Sequence, residues 1–275
     1  MTQPPVPMFS ALQRATDTYL YVADLLAAYS RIRGDLIERL AAGTKRLAGE
    51  VGVLKLPRSP ISDSLEKEFQ RRLEEVAETK AAQYPAWLIN QGLVSLCTIF
   101  DVFLEGLVDA IFCARVETLY GVAGAKNLEL KRLVELGSLD AILSDFRAKE
   151  VKAFGFQEIR ERFTYLSRRL GLDTESTFRF ERFTDEARKA LQNWNLDRLV
   201  SVYEQRHDIV HRDDRPLKKV EELEEIYEVF CKLVLDLSAQ AYSVHNVLND
   251  GSASLTALAG QLQSGGSVPG EKTPT

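Results

Sequence analysis

The stretch Tyr203–Pro216 reads YEQRHDIVHRDDRP. It contains two of the three histidines in the 275-residue chain, and both lie within five positions of Arg206. A helical pattern of apolar residues ends here, and a proline-containing loop follows. These residue types are compatible with a catalytic site, a metal site or a polar helix end.

Around this stretch the periodicity of apolar residues is helical nearly throughout, whereas the alternation typical of strands is scarce. In the first part of the chain, helices are predicted from Phe9 to about Gly49 (with or without a break near Gly34), from Leu65 to a break at Pro85, and from Ala86 to about Tyr120. Shorter helices are predicted over Asn127–Leu136, Ser138–Lys149 and Phe156–Leu170, and after Thr184. The last two predicted helices run from a cap at Asn195 into the opening stretch and from Pro216 to about Val247. The sequence therefore predicts an all-α fold.

The pattern also predicts the organisation of the chain. Residues 1–80 are predicted to form an N-terminal helical extension, and residues 81–250 a helical bundle. Residues 251–275 are small, polar and rich in Gly, Ser and Pro, which is typical of a disordered tail.

Composition restricts the classes of function. A net charge of −5 and a pI near 5.5 argue against a protein that coats duplex DNA, because that mode needs a broad basic face. Three cysteines without a C-x-x-C pair indicate reduced thiols. The N-terminus has no signal-peptide pattern, and the uncharged stretch 81–100 contains enough polar residues to be a core helix instead of a membrane span. We therefore expect a cytoplasmic protein that does not bind membranes.

The most apolar predicted helix carries Asp101, Glu105 and Asp109 at four-residue spacing. This spacing places the three carboxylates in one stripe. The stripe is either the solvent-exposed edge of a core helix or the place where one carboxylate orients a cationic partner in a polar cleft.

The opening stretch has a definite geometry if it is helical. His207 and His211 are four residues apart and therefore share a face, whereas Arg206 lies about 140° around the helix from His211. Histidine can exchange protons near neutral pH, and the arginine fork matches phosphate oxygens.

The residues RHDIVH resemble the HEPN superfamily, whose mark is an arginine, a polar residue and a histidine a few positions later, between the last two helices of a small bundle. The resemblance covers about residues 86–247. The segment IFDVFLEGL resembles the first helix of that family, in which Asp101 is the closest match to an acidic residue. The expected fold is thus a HEPN-like bundle with an N-terminal extension.

The resemblance implies a metal-independent endoribonuclease without a cofactor, in which a homodimer brings two motifs together. Arg206 would stabilise the phosphate, His211 would be the general acid or base, and His207 would orient the substrate or its partner. Asp101 and Asp208 would support these residues. The side chains expected to contact RNA are Arg212, Arg215, Lys218, Arg168 and Arg169, with Arg160 and Arg162 on the same short helix.

Further partners also follow from the resemblance, which extends to toxins and phage-defence effectors. An antitoxin or another regulatory protein is therefore expected besides RNA.

Three alternatives stay open at the level of sequence. His207 and His211 have an H-x3-H spacing with Asp208, Asp213 and Asp214 nearby, which could bind a metal, although zinc proteases have Glu after the first His. The polar residues could cap the helix and form a surface network without further function. The chain could also be a non-catalytic HEPN-like module that binds or assembles a partner protein or RNA.

Overall fold

The computed structural model describes residues 5–52, 60–119, 137–179, 191, 193–212 and 215–250. The helices are α1 (Met8–Gly52), α2 (Pro60–Ala114), α3 (Leu139–Gly155), α4 (Ile159–Leu170), α5 (Leu196–Arg212) and α6 (Val220–His245), with a 3-10 helix at Ser176–Phe178. None of the described ranges contains a strand, so the all-α prediction is confirmed. The predicted helices over Asn127–Leu136 and after Thr184, and the predicted tail from residue 251, lie outside these ranges.

The chain divides into two compact units. The first unit contains the described residues within Met1–Thr16, Leu96–Glu204 and Tyr227–Thr275, and the second those within Asp17–Ser95 and Gln205–Ile226. The units interleave along the sequence, and α2 crosses residues 80 and 81 without interruption. The predicted domain limits at 80 and 250 stay a prediction.

The core of the first unit is built on the C-terminal half of α2. Phe100, Leu104, Leu107 and Ile111 recur every three or four residues and are at most 1% exposed. The ring of Phe100 stacks on Phe230 of α6 at 4.8 Å between centroids. Burial of each such side chain stabilises the folded state by about 1.5–3 kcal/mol. The helix that the sequence predicts to be the most apolar is therefore the core helix.

The first turn of α1 is capped by a residue from the other end of the described chain. The carboxylate of Asp250 accepts hydrogen bonds from the backbone N–H groups of Phe9 (2.6 Å) and Ser10 (2.9 Å). Val6 donates its N–H to Leu248 O and accepts from the N–H of Asp250. The side chain that caps α1 therefore comes from a residue that is distant in the sequence.

Local signals placed several helix ends correctly. Asn195 caps α5, since its side-chain oxygen accepts from the N–H of Arg198 at 2.9 Å. Ser138 caps α3 in the same way. Gly171 ends α4 in the left-handed conformation with φ of 66°, which glycine adopts without strain.

Pro85 does not break a helix, so that prediction is wrong: α2 passes through it. A proline inside a helix removes one backbone hydrogen bond and costs about 3 kcal/mol. The buried side chains of Leu88, Ile89 and Leu93 follow in the next two turns. Their packing outweighs the local cost.

The last helix begins at Val220 and not at Pro216, which is a second correction. The backbone N–H groups of Lys218 and Lys219 both donate to the carboxylate of Glu222, at 2.7 and 3.0 Å. A side chain that reaches back to N–H groups before the first turn fixes the helix start there. Within the described ranges, no helix is long and apolar enough to cross a membrane.

Two helical glycines should respond in opposite directions to substitution by alanine. A Cβ at Gly106 would lie 2.6 Å from Cγ of Pro7, so Gly106→Ala should lower the free energy of unfolding by about 1–3 kcal/mol. No atom lies within 4 Å of a Cβ at Gly43, so Gly43→Ala should raise it by up to about 1 kcal/mol. Urea unfolding of the two variants checks this, and a Gly106→Ala protein as stable as the parent would contradict the close approach.

Candidate functional site

The predicted motif lies in the last two turns of α5, which ends at Arg212. The rings of His207 and His211 are 4.4 Å apart between centroids, at an angle of 44°. Both histidines are exposed to solvent. The predictions that they share a face and that the motif occupies a helix end are confirmed.

Arg206 and Asp208 flank His207 on the same turn. Arg206 is half-buried. The carboxylate of Asp208 pairs with Arg212 at 3.2 Å, one turn further along α5. An exposed pair of this kind contributes about 0–1 kcal/mol, so Arg212 can exchange its partner for another anion at little cost.

The loop after the motif is fastened to α2 within the second unit. The amide of Asn90 donates to Leu217 O at 2.9 Å and accepts from Leu217 N–H at 3.2 Å. The guanidinium of Arg215 donates to the side-chain oxygen of Gln83 at 3.2 Å. The ammonium of Lys218 donates to the carbonyl of Arg215. These contacts fix the position of the loop. Two of the residues predicted to contact RNA, Arg215 and Lys218, therefore lie at fixed positions in the same unit as the motif.

Asp101 is a partly buried acceptor in the first unit. Its Oδ1 accepts from the guanidinium of Arg162 on α4 and from the hydroxyl of Tyr203 on α5, both at 2.7 Å. Burial, and then the neighbouring Cys97 and Asp101, raise the pKa of the Tyr203 hydroxyl well above its ordinary value. Asp101 therefore fixes α4 and α5 to α2, whereas a supporting role for it at the motif stays a prediction.

Arg162 does not belong to an exposed basic face, contrary to the prediction from the sequence. Its side chain is only 8% exposed. Besides Asp101, it donates to the carbonyls of Gln157 and Gly155 at the end of α3. Arg160 on the same helix pairs with Asp197 of α5. Arg162 therefore holds elements of the first unit together, whereas the pair between Arg160 and Asp197 is exposed to solvent.

Arg168 and Arg169 lie in the last turn of α4 and are exposed. They belong to the first unit, whereas Arg212, Arg215 and Lys218 belong to the second. The prediction that all five contact one RNA stays a prediction.

The acidic stripe of α2 faces cations from two neighbouring helices. Asp101 pairs with Arg162 of α4, and Asp109 pairs with Arg147 of α3 at 3.0 Å. Glu105 lies between them, so close to Gly155 that a Cβ there would be 2.5 Å from a carboxylate oxygen. Two carboxylates of the stripe therefore have a cationic partner, whereas the polar cleft stays a prediction.

Sequence reasoning did not identify Tyr203, which precedes the motif by one turn, as part of this arrangement. It resembles any apolar residue in the helical pattern, and only its hydroxyl, paired with an acid 102 residues earlier, distinguishes it. For the metal alternative, Asp213 and Asp214 lie outside the described residues. Among those that are described, no three His, Cys, Asp or Glu side chains form a group that could hold a metal ion.

Comparison with known families gave one match. A family model described as RiboL-PSP-HEPN matches residues 65–242, which is well over half of the chain and includes the motif. The match begins at residue 65, whereas the resemblance found from the sequence covers about residues 86–247. The matched range therefore includes most of α2. Comparisons with curated proteins and with solved structures found no match.

The contact between Tyr203 and Asp101 predicts a pH-dependent effect. At pH 7, Tyr203→Phe should lower the free energy of unfolding by about 1–3 kcal/mol, because a hydrogen bond to a carboxylate is lost. Above pH about 10 the unfolded chain releases the Tyr203 proton while the folded chain keeps it, so this group lowers parental stability by up to about 1.4 kcal/mol per pH unit. The two stabilities should therefore converge from pH 10 upward.

Urea unfolding between pH 7 and 11 measures this convergence. Tyr242→Phe serves as the control, since Tyr242 is exposed on α6. A constant difference between parent and Tyr203→Phe over the whole range would contradict the buried, protonated hydroxyl.

Proposed function

Because the chain belongs to the RiboL-PSP-HEPN family of HEPN-type domains, we propose that it is a metal-independent endoribonuclease that cleaves RNA through the ribose 2′-OH. The observation that carries this proposal is the pair of exposed, neighbouring imidazoles of His207 and His211 at the end of α5, with Arg206 on the same turn.

The proposed reaction needs one base, one acid and one cation. A base removes the proton of the 2′-OH, and the 2′-oxygen forms a bond to phosphorus. The bond to the 5′-oxygen breaks, and this oxygen takes a proton from an acid. The products are a 2′,3′-cyclic phosphate and a free 5′-hydroxyl, and no oxidant or metal is needed.

Each motif residue has a role in this scheme. His211 is the general acid or base, since histidine exchanges protons near neutral pH. The guanidinium of Arg206 binds the phosphate oxygens and stabilises the negative charge that develops there. His207, in van der Waals range of His211, orients the substrate. Asp208 holds Arg212 at the helix end, where Arg212 can contact a flanking phosphate.

Acid and base have to act on opposite sides of the same phosphate. One copy of the motif supplies one His211, so a two-fold dimer with both motifs at one cleft would supply both groups. We propose that the active species is this homodimer. An RNase that acts in the cytoplasm has to be restrained, which suits a toxin or phage-defence effector under the control of an antitoxin or another regulatory protein.

Cleavage of single-stranded RNA of mixed sequence in the presence of EDTA tests the proposal. The parent protein should release products with 2′,3′-cyclic phosphate ends and should leave DNA intact, since DNA lacks the nucleophile. His211→Gln keeps a polar side chain but cannot exchange protons, so the rate should fall on the order of 10²–10⁴-fold. Arg206→Ala should lose a comparable amount.

Glu204→Gln provides the matched control, because Glu204 is exposed on the same helix and has no part in the scheme. Cleavage that depends on added metal would support the H-x3-H interpretation instead. A dimeric protein that binds RNA but cleaves none at neutral pH would support the non-catalytic binding module. Unchanged cleavage by His211→Gln would exclude His211 as the acid or base.

A further inference from the structure

The uncharged part of α2 presents one stripe of side chains to the loop that follows the motif. Gln83, Trp87 and Asn90 have i, i+4, i+7 spacing and therefore share one face. Gln83 contacts Arg215 at one end of the stripe, and Asn90 contacts Leu217 at the other. Trp87 lies between these two residues on the same face of α2.

Trp87 is part of a column of aromatic rings. Its indole stacks on the ring of Tyr84 with 5.8 Å between centroids and an angle of 21°. Tyr84 in turn contacts the buried Tyr29 of α1 at 5.2 Å. Tyr29 is 5% exposed, whereas Tyr84 and Trp87 are 39% and 40% exposed. The column is thus fixed at its inner end and open to solvent at its outer end.

The loop that is fastened to this face of α2 carries three cations. Arg215 is held beside Gln83, and Lys218 and Lys219 follow in the same loop. His211 precedes Arg215 by four residues, so their Cα atoms are at most about 14 Å apart. All of these residues belong to the second unit, together with Arg206 and His207.

We propose that Trp87, backed by Tyr84, is a base-stacking platform for single-stranded RNA, and that Arg215 and Lys218 bind the phosphates between this platform and His211. Unpaired bases stack on aromatic side chains, and adjacent cations follow the backbone. A duplex keeps its bases inside the helix and cannot use the platform. The proposal names the substrate class of the proposed nuclease and rests on that function for the link to cleavage, but the stacking itself does not need catalysis.

The two tryptophans of the chain allow a direct measurement. Trp194 is only 3% exposed, so a Trp194→Phe protein retains Trp87 as its single tryptophan. Its fluorescence should be quenched by single-stranded RNA and by single-stranded DNA, because stacking does not involve the 2′-OH. Duplex RNA and an abasic strand with the same number of phosphates should not quench it.

Affinity for single-stranded RNA gives the second readout, with His211→Gln as the common background so that the strand stays intact. Trp87→Leu keeps an apolar side chain but removes the aromatic face, so affinity should fall about 5- to 150-fold, equivalent to about 1–3 kcal/mol. Trp87→Phe should retain most of it. Tyr242→Leu, the same kind of replacement at an exposed position on α6, should leave the affinity unchanged.

The outcomes separate this proposal from the proposed function. Quenching without cleavage by the parent protein would leave the platform in place and overturn the nuclease. Cleavage that is equal in the parent and Trp87→Leu, without quenching, would overturn the platform and leave the nuclease. A Trp87 emission that shifts with protein concentration but does not respond to single-stranded RNA would assign this face to a second copy of the chain and would also overturn the platform.

Discussion

The carboxylate of Asp101 is the acceptor on which the arrangement of the first unit depends. A buried guanidinium costs several kcal/mol unless its charge is paired and its donors are bound. Arg162 meets both conditions, since it donates to Asp101 and to two carbonyls at the end of α3. The same oxygen of Asp101 accepts from Tyr203. One carboxylate thus connects α2 with α4 and α5, and through Arg162 with α3.

The contact with Tyr203 also fixes which face the first-unit part of α5 turns towards α2. Four residues of an α-helix turn about 400°, which is about 40° more than one full turn. Tyr203, His207 and His211 therefore form a stripe that drifts by about 80° from the first to the last. The tyrosine hydroxyl is bound to Asp101, while the two histidines reach solvent. A helix that buried all three would have no exposed imidazole for chemistry.

Sequence reasoning succeeded where the cause is local. The cap at Asn195, the left-handed end at Gly171 and the shared face of His207 and His211 each depend on a few neighbouring residues. It failed where distant residues decide the outcome. Pro85 stays helical because of burial around it, and Arg162 looks like any surface cation until Asp101, 61 residues earlier, is placed beside it.

The uncharged segment 81–100 is a further case in which distant residues decide the role of a side chain. Its polar residues suggested a core helix instead of a membrane span, and the helix is indeed partly core, but the polar residues have a more specific role. Asn90 is 1% exposed, and it is tolerated there because its amide satisfies both the N–H and the carbonyl of Leu217. An apolar side chain at this position would leave two backbone groups without partners. The position of the post-motif loop is therefore encoded in α2, more than a hundred residues before the motif itself.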